Sequence, residues 1–155
     1  MLLIVGDPKG THSMTALRKY APEDIWVWEN DSRHIYTINM ICDRINVITD
    51  LQELVDKGMR FTVVIGNPPY SNRSNVSGAN EGGCSNNLDS DFFLKSIEVS
   101  DRVCLIIRAK HFLKKSSKFK KFLFSSGHLQ SIKYLSPDTF PTILNTQTCV
   151  VTYDK

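Results

Sequence analysis

Short apolar runs alternate along the chain with segments in which apolar residues recur at helical spacing. Most of the runs are followed by polar, Gly or Pro residues, as is typical of buried strands. The apolar runs predict seven strands, at 2–5, 25–28, 45–48, 61–66, 102–107, 129–135 and 146–153. The helically spaced segments predict five helices, at 14–20, 32–44, 51–58, 91–99 and 114–124. Asp31 or Ser32 is a candidate N-cap of the second helix, and Asp89 or Ser90 of the fourth.

This alternation predicts an α/β fold with a mainly parallel sheet and helices on both of its faces. The 155 residues correspond to a single domain, so we expect one core in residues 1–155. Thirteen of the twenty residues in 71–90 are Ser, Asn or Gly, which predicts a long mobile loop. The composition, 41% hydrophobic and 23% charged, is that of a globular protein and excludes disorder as the main state.

The charge is unevenly distributed. The formal net charge is only +3, but residues 102–137 contain nine Lys or Arg and no acid, whereas residues 1–101 have a net charge of −5. Such asymmetry favours a surface that faces a polyanion. On charge alone, a solvated basic helix explains it equally well.

Two features indicate a cytoplasmic protein without a membrane segment. The opening MLLIVGDP is too short for the hydrophobic region of a signal peptide, and no run approaches the ~20 apolar residues of a membrane span. The cysteines and histidines show no metal-ligand spacing, so we predict a reducing compartment and no metal site. They are Cys42, Cys84, Cys104, Cys149, His12, His34, His111 and His128.

A polar residue follows each of the first four predicted strands within two positions. These residues are Asp7, Glu29, Asp50 and Asn67. Ligands of parallel sheets bind beyond the carboxyl ends of the strands, so these residues are candidates for a ligand site. An Asp after a strand also often caps the next helix, which is the alternative for each acid. Gly10 would allow close backbone approach to a ligand, and Glu29 follows nineteen residues later, a spacing typical of a ribose-binding acid.

The segment Asn67-Pro68-Pro69-Tyr70 has the most specific chemistry. Its prolines fix the backbone and donate no hydrogen bonds, so an Asn side-chain oxygen and a Pro carbonyl can together accept both hydrogens of an amino group. Accepting those hydrogens localises the nitrogen lone pair, and Tyr70 offers a flat face for stacking an aromatic ring. The alternative is a structural Pro-rich turn.

Residues 64–70, VIGNPPY, resemble the catalytic motif of S-adenosylmethionine-dependent amino-methyltransferases, specifically the adenine-specific DNA methyltransferases of the NPPY type. Residues 28–32 resemble the second-strand motif of the family, whose acid binds the cofactor ribose. Asp50 matches the acid that contacts the cofactor adenine, and Phe93 the aromatic residue that packs on it. Phe140, in Thr-Phe-Pro, resembles the phenylalanine that supports a flipped target base.

The resemblance implies a Rossmann-like class I methyltransferase sheet, S-adenosylmethionine as cofactor and DNA as partner. It divides the chain into a cofactor half at about 1–66 and a substrate-facing half at about 67–155. The implied cofactor-binding residues are Asp7, Gly10, Glu29, Asn30, Asp50 and Phe93. The implied catalytic residues are Asn67, Pro68, Pro69 and Tyr70, with Tyr70 and Phe140 holding the base. Arg73, Lys110, Lys114, Lys115 and Lys118 would contact the nucleic-acid backbone.

The implied reaction is a direct displacement on a flipped-out adenine in a restriction-modification setting, in a bacterial or phage-infected cell. No target-recognition domain is recognisable, so a separate recognition subunit or a second copy of the chain is a possible partner. Asp7-Pro8-Lys9-Gly10-Thr11 lacks the second glycine of the usual first motif. A catalytically silent protein that binds DNA or another partner is therefore an alternative, as is methylation of RNA or of a protein glutamine.

Overall fold

The computed structural model describes residues 1–70, 87–115, 117–140 and 147–155. Within these ranges seven strands form one sheet: β1 (Leu2–Val5), β2 (Ile25–Trp28), β3 (Asn46–Ile48), β4 (Val63–Gly66), β5 (Arg102–Arg108), β6 (Leu129–Tyr134) and β7 (Thr148–Asp154). The same ranges contain six α-helices: α1 (Thr11–Ala16), α2 (Ser32–Ile41), α3 (Gln52–Asp56), α4 (Leu88–Val99), α5 (Lys110–Leu113) and α6 (Lys118–Ser125). Short 3-10 turns span Pro22–Asp24 and Pro137–Thr139.

The strand order is β3-β2-β1-β4-β5-β7-β6. Strands β1 to β5 pair in parallel, and β7 is antiparallel to both of its neighbours, β5 and β6. The predicted mainly parallel sheet is therefore confirmed. Because the chain order reverses between β1 and β4, the carboxyl ends of these two strands flank the crevice in which such sheets bind ligands.

The alternation of side chains along β1 divides the core between the two faces of the sheet. Leu3 and Val5 belong to the larger buried cluster, together with residues of α3, α4 and α6, whereas Leu2 and Ile4 belong to a second cluster with residues of α1 and α2. Successive residues of a strand point to opposite faces, so both faces must be covered for all four to be buried. The prediction of helices on both faces is confirmed.

Local hydrogen bonds explain where the helices differ from the predicted ranges. Helix α1 begins at Thr11, earlier than expected, because the Asp7 carboxylate accepts from the backbone N–H groups of His12 and Ser13. The helix predicted at 114–124 begins only at Lys118, as α6, and the short α5 that precedes it was not predicted. Ser117 caps α6 by accepting from the Lys120 N–H group at 3.2 Å.

The two N-cap predictions have opposite outcomes. Asp31 caps α2 by accepting from the Arg33 N–H group at 2.9 Å, as predicted. Neither Asp89 nor Ser90 caps α4, because the helix already begins at Leu88 and both residues lie inside it; the Asp89 carboxylate bonds to Arg108 and His111 instead.

Helix length bears on membrane association. The longest helix of the described ranges has 12 residues, and none of the helices there is long and apolar enough to cross a bilayer. Within the same ranges no cluster of His, Cys, Asp or Glu is arranged to hold a metal ion.

Candidate active site

The carboxyl ends of β1, β2 and β4 surround an open pocket of about 670 Å³. This volume lies in the range of small-molecule sites. The pocket is lined by Gly6, Pro8, Trp28, Glu29, Asn30, Asp31, Arg33, His34, Asn67 and Pro69. The fold thus brings Glu29 and Asn30 of the predicted cofactor site together with Asn67 and Pro69 of the predicted catalytic motif.

Glu29 is the buried acid of this pocket. One carboxylate oxygen accepts from the backbone N–H groups of Asn30 and Asp31, at 3.0 and 3.3 Å, which fixes the orientation of the side chain. The other oxygen lies 3.3 Å from Nδ1 of His34. A fixed carboxylate at the end of β2 can accept hydrogen bonds from a pair of ligand hydroxyl groups.

Asn67 is fixed from two sides. Its backbone N–H group donates to the Val5 carbonyl at 2.9 Å, which continues the pairing of β4 with β1 beyond Gly66. Its side-chain Oδ1 accepts from the Tyr70 hydroxyl at 2.6 Å. An amide oxygen has two lone pairs, so Oδ1 can still accept a hydrogen from an amino group. The motif therefore presents a preoriented acceptor at the pocket.

Tyr70 is half-buried beside two charged groups. The Arg108 guanidinium carbon lies 5.7 Å from the centre of the Tyr70 ring, within the range of a cation–π contact. Burial of the phenol and the nearby charge of Asp89 raise the pKa of Tyr70 above its usual range. The hydroxyl is therefore protonated at neutral pH and acts as a hydrogen-bond donor to Asn67.

Asp89 and Arg108 form a buried ion pair behind this ring. The Arg108 guanidinium donates to both Asp89 oxygens, at 2.6 and 3.1 Å, and the Arg108 backbone N–H donates at 2.9 Å. Nε2 of His111 lies 2.9 Å from the same carboxylate. Burial opposes ionisation of Asp89, but the hydrogen bonds from His111 and Arg108 outweigh it and lower the pKa of this carboxyl.

Asp7 and Gly10 have internal contacts. The buried Asp7 carboxylate accepts from the Ser13 hydroxyl and N–H group and from the His12 N–H group, and it lies 3.2 Å from the His12 ring. A Cβ atom on Gly10, where φ is +66°, would lie 2.0 Å from Cδ1 of Ile41. The Ile41 side chain can move away from such a contact, so the left-handed φ is the stronger reason for glycine here. Neither Asp7 nor Gly10 is among the pocket-lining residues.

Three further predicted site residues lie elsewhere. Asp50 is exposed and accepts from the Gln52 N–H group, in the first turn of α3, at 2.9 Å. Phe93 has no exposed surface and packs edge-on against Phe119 and Tyr153, so the structure does not present its ring to a ligand. Phe140 is half-buried at the end of a 3-10 turn.

Three of the predicted backbone-binding lysines surround one pocket. Lys110, Lys114 and Lys118 line a cavity of about 360 Å³ between α4, α5 and α6, and Lys115 is exposed nearby. Arg73 and most of the predicted loop at 71–90 lie outside the described residues.

Sequence reasoning missed Arg108, Asp89 and the pocket-lining His34. The rule that selected the other candidates, a polar residue at the carboxyl end of a strand, also selects Arg108 at the end of β5. Asp89 carries no such signal, because it lies nineteen residues before Arg108 and their contact depends on the tertiary fold. His34 has only a weak signal, as a residue in the first turn of α2.

Comparison with known families identifies the class of protein. The family profile described as Eco57I restriction-modification methylase matches residues 13–140, which is most of the chain. The chain therefore belongs to the Eco57I restriction-modification methylase family. No curated protein sequence matches the chain significantly.

Solved structures agree with this fold. An assigned RNA methyltransferase of Pyrococcus horikoshii matches with a TM-score of 0.66 and 22% identity, over 99% of this chain and 72% of that chain. The M protein of type I restriction enzyme EcoKI matches with a TM-score of 0.67 and 14% identity, over 99% of this chain and 39% of that chain. The 23S rRNA methyltransferase ErmE matches with a TM-score of 0.64 and 12% identity, over 99% and 61%. The chain thus has the Rossmann-like methyltransferase fold.

The family and fold imply S-adenosylmethionine as cofactor, and the pocket fits such a molecule. Its lining offers the oxygen acceptors of Glu29, Asn30 and Asp31, which suit ribose hydroxyls and a neighbouring positive charge. The indole ring of Trp28, held by a hydrogen bond from Nε1 to the Thr49 carbonyl at 2.9 Å, adds an apolar wall. Asp50 and Phe93, implied as adenine contacts, do not line this pocket.

Proposed function

We propose that this protein is a DNA adenine methyltransferase, which transfers a methyl group from S-adenosylmethionine to the exocyclic amine of a flipped-out adenine. The observation that carries the proposal is the Asn67 side chain, oriented by Tyr70 at the edge of a pocket that also contains the Glu29 carboxylate. This arrangement supports the assignment of an amine acceptor beside a nucleoside site.

Each residue has a defined role in the proposed reaction. Glu29 accepts hydrogen bonds from the ribose hydroxyls of the cofactor, which supplies an electrophilic methyl group on a positively charged sulfur. Asn67 Oδ1 and the Pro68 carbonyl accept the two hydrogens of the target amine, which localises its lone pair. Tyr70 stacks on the adenine ring. Catalysis then comes from positioning and from preoriented acceptors.

An RNA base is the second candidate substrate. The solved structures with the same fold include an assigned RNA methyltransferase and an rRNA methyltransferase. The acceptor pair of Asn67 and Pro68 would bind an adenine amine in either nucleic acid. The basic residues at 102–137 also suit either phosphate backbone. The family match to restriction-modification methylases favours DNA.

A separate recognition subunit is part of the proposal. This chain spans 39% of the EcoKI M protein and 72% of the Pyrococcus horikoshii protein. Structures with the same fold include one that concerns complex assembly in a type I restriction-modification system. By analogy, we propose that sequence recognition involves a partner chain or a second copy.

Labelled methyl transfer tests the proposal. The protein is incubated with S-adenosylmethionine carrying a labelled methyl group and with DNA, RNA or protein, and digestion of the labelled product identifies the modified base. We expect N6-methyladenine in DNA. Label in RNA would move the substrate assignment to RNA, and the absence of label in all three would support the silent alternative.

Asn67→Ala separates catalysis from cofactor binding. Since Asn67 supplies the amine acceptor, the variant is expected to lose at least about 100-fold in transfer rate. Its cofactor affinity, measured by calorimetry, should stay within about threefold, because Glu29 remains in place. Asn39→Ala, at an exposed position of α2, is the matched control and should keep wild-type transfer. Wild-type rates in Asn67→Ala would refute the assigned role.

A further inference from the structure

A buried ion pair lies directly behind the Tyr70 ring and has no part in the reaction described above. Asp89 comes from the first turn of α4 and Arg108 from the carboxyl end of β5, next to the end of β4. The Asp89 side chain has no exposed surface, and that of Arg108 is 13% exposed. The pair is therefore shielded from solvent, next to Tyr70.

The geometry of this pair fixes the guanidinium group. Two nitrogens of Arg108 donate to the two oxygens of Asp89, which is the paired contact that only a planar guanidinium can make. His111 and the Arg108 backbone hold the carboxylate from further directions. Because Asp89 holds two nitrogens of the Arg108 side chain, the plane of the guanidinium group has little freedom to rotate.

Burial of such a pair needs a reason. Removing two charges from water costs free energy that their attraction repays only in part, so a buried ion pair is weak support for a purely stabilising role. Here the pair ends at the Tyr70 ring, with the guanidinium carbon 5.7 Å from the ring centre. A guanidinium held against a tyrosine ring in this way can fix the orientation of the ring on which a base would stack.

We infer that Arg108 is a positioning residue for Tyr70, held in place by Asp89, and that it fixes the ring on which the target base stacks. The chain of contacts runs from Asp89 through Arg108 and Tyr70 to Asn67 Oδ1. The inference rests on the proposed function, because it assigns Arg108 a task in presenting the target base. A shift of the ring would also move the hydroxyl that orients Asn67.

Kinetics of methyl transfer give the first test. Arg108→Met removes the charge and the paired contact with Asp89. We expect kcat to fall about 10- to 100-fold while KM for S-adenosylmethionine stays within about twofold. Arg102→Met, at the exposed amino end of the same strand, is the matched control and should keep the wild-type kcat.

A double-mutant cycle with Tyr70→Leu distinguishes positioning from general stabilisation. If Arg108 acts through the ring, Arg108→Met should lower kcat by less than about twofold once the ring is gone. An equal loss in both backgrounds would overturn the inference. Arg108→Lys keeps the buried charge but cannot make the two-nitrogen contact with Asp89, so its kcat should also be lower than that of the wild type. This variant replaces Arg108→Met in the test if Arg108→Met does not fold. A wild-type kcat in Arg108→Lys would contradict the role of the two-nitrogen contact between Arg108 and Asp89.

Fluorine NMR tests the contact without any substrate. The protein contains five tyrosines, so 3-fluorotyrosine labelling gives few resonances, and Tyr70→Phe assigns that of Tyr70. We expect Arg108→Met to move the Tyr70 resonance and Arg102→Met to leave it in place. An unmoved resonance overturns the inference whatever the activity. A moved resonance in a protein that transfers no methyl group would instead refute the proposed function and retain the contact.

Discussion

Two glycines determine how closely the Asn67 motif can lie against the first strand. A Cβ atom on Gly66 would be 2.1 Å from the Val5 carbonyl oxygen, and one on Gly6 would be 2.5 Å from the Asn67 carbonyl oxygen. Both distances are too short for any side chain, and both contacts are with backbone. Gly6 also has a φ of +73°, the left-handed conformation that favours glycine. The acceptor geometry of Asn67 therefore depends on residues that have no functional group.

Gly6→Ala tests this dependence. The variant should displace the Asn67 carbonyl and lower the rate of methyl transfer by at least about tenfold, since small misplacements in an active site are costly. The left-handed conformation adds a cost of about 1–2 kcal/mol in the free energy of unfolding. Transfer is measured at saturating cofactor, and stability by urea unfolding.

Gly127→Ala is the matched control for this variant. Gly127 has a nearly equal φ of +76°, but among the described residues, apart from its chain neighbours, no atom lies within 4 Å of the position of its Cβ. It should show the conformational cost alone, with an unchanged rate. If Gly6→Ala behaved in the same way, the close approach to Asn67 would have no functional importance.

At the scale of elements, α4 places two adjacent aromatic residues in different environments. Phe93 lies fully inside the core, whereas Phe92 is half-buried with its ring centre 4.3 Å from that of Trp28, which lines the pocket. The resemblance to the methyltransferase family assigned the cofactor contact to Phe93. The structure instead gives Phe92 the connection to the pocket, through Trp28.

Alanine substitutions of these two residues should have different effects. Phe93→Ala removes a buried ring and is expected to cost about 3–5 kcal/mol in the free energy of unfolding. Phe92→Ala should cost less stability but raise the Kd for S-adenosylmethionine about twofold to tenfold, because Trp28 loses a ring contact of about 0.5–1.5 kcal/mol. Urea unfolding and calorimetry measure the two effects. If only Phe93→Ala weakened cofactor binding, the sequence-based assignment would be right.

The sequence predicted whole elements better than contacts between them. Strands such as β1 and β2 were predicted with their observed bounds, because a short apolar run with polar ends has few other stable arrangements. The strand-end rule also located Glu29 and Asn67, which the structure brings to one pocket. These signals are local, so they can be read from neighbouring residues.

Contacts between distant residues were not predictable in this way. Whether an acid such as Asp50 caps a helix or faces a ligand depends on the direction of its side chain, and both outcomes follow the same strand-end pattern. The pair of Asp89 and Arg108 forms only when α4 packs against β5. Helical periodicity alone gave Phe92 and Phe93 no different roles.

At the scale of the whole molecule, charge separates the two sides of the proposed site. The described acids of the nucleoside pocket come from residues before Asn67, whereas residues 102–137 contain nine basic residues and no acid. Lys110, Lys114 and Lys118 converge on one cavity beside α4. Burial and the neighbouring charge of Arg108 lower the pKa of Lys110. Asp91 lines the same cavity, so three lysines face one acid among its described lining residues, and a phosphate group would add negative charge there.

This arrangement predicts a salt-dependent contribution to nucleic-acid binding. Each phosphate contact releases counterions and adds about 0.9 to the slope of log K against log salt on duplex DNA. The triple variant Lys110→Ala, Lys114→Ala and Lys118→Ala should therefore lower the magnitude of that slope by about 2 to 3, as measured by fluorescence anisotropy between low and physiological salt.

A variant of equal charge separates this local contact from the effect of net charge. Substitution of the exposed Lys19, Lys57 and Lys155 with Ala also removes three positive charges, but from positions outside residues 102–137. If the cavity binds phosphate, only the variant of Lys110, Lys114 and Lys118 should show a reduced slope of log K against log salt, because counterion release requires direct contact. Equal losses in both variants would mean that net charge alone attracts the nucleic acid. The basic cavity would then have no specific role in guiding the nucleic-acid strand toward Tyr70.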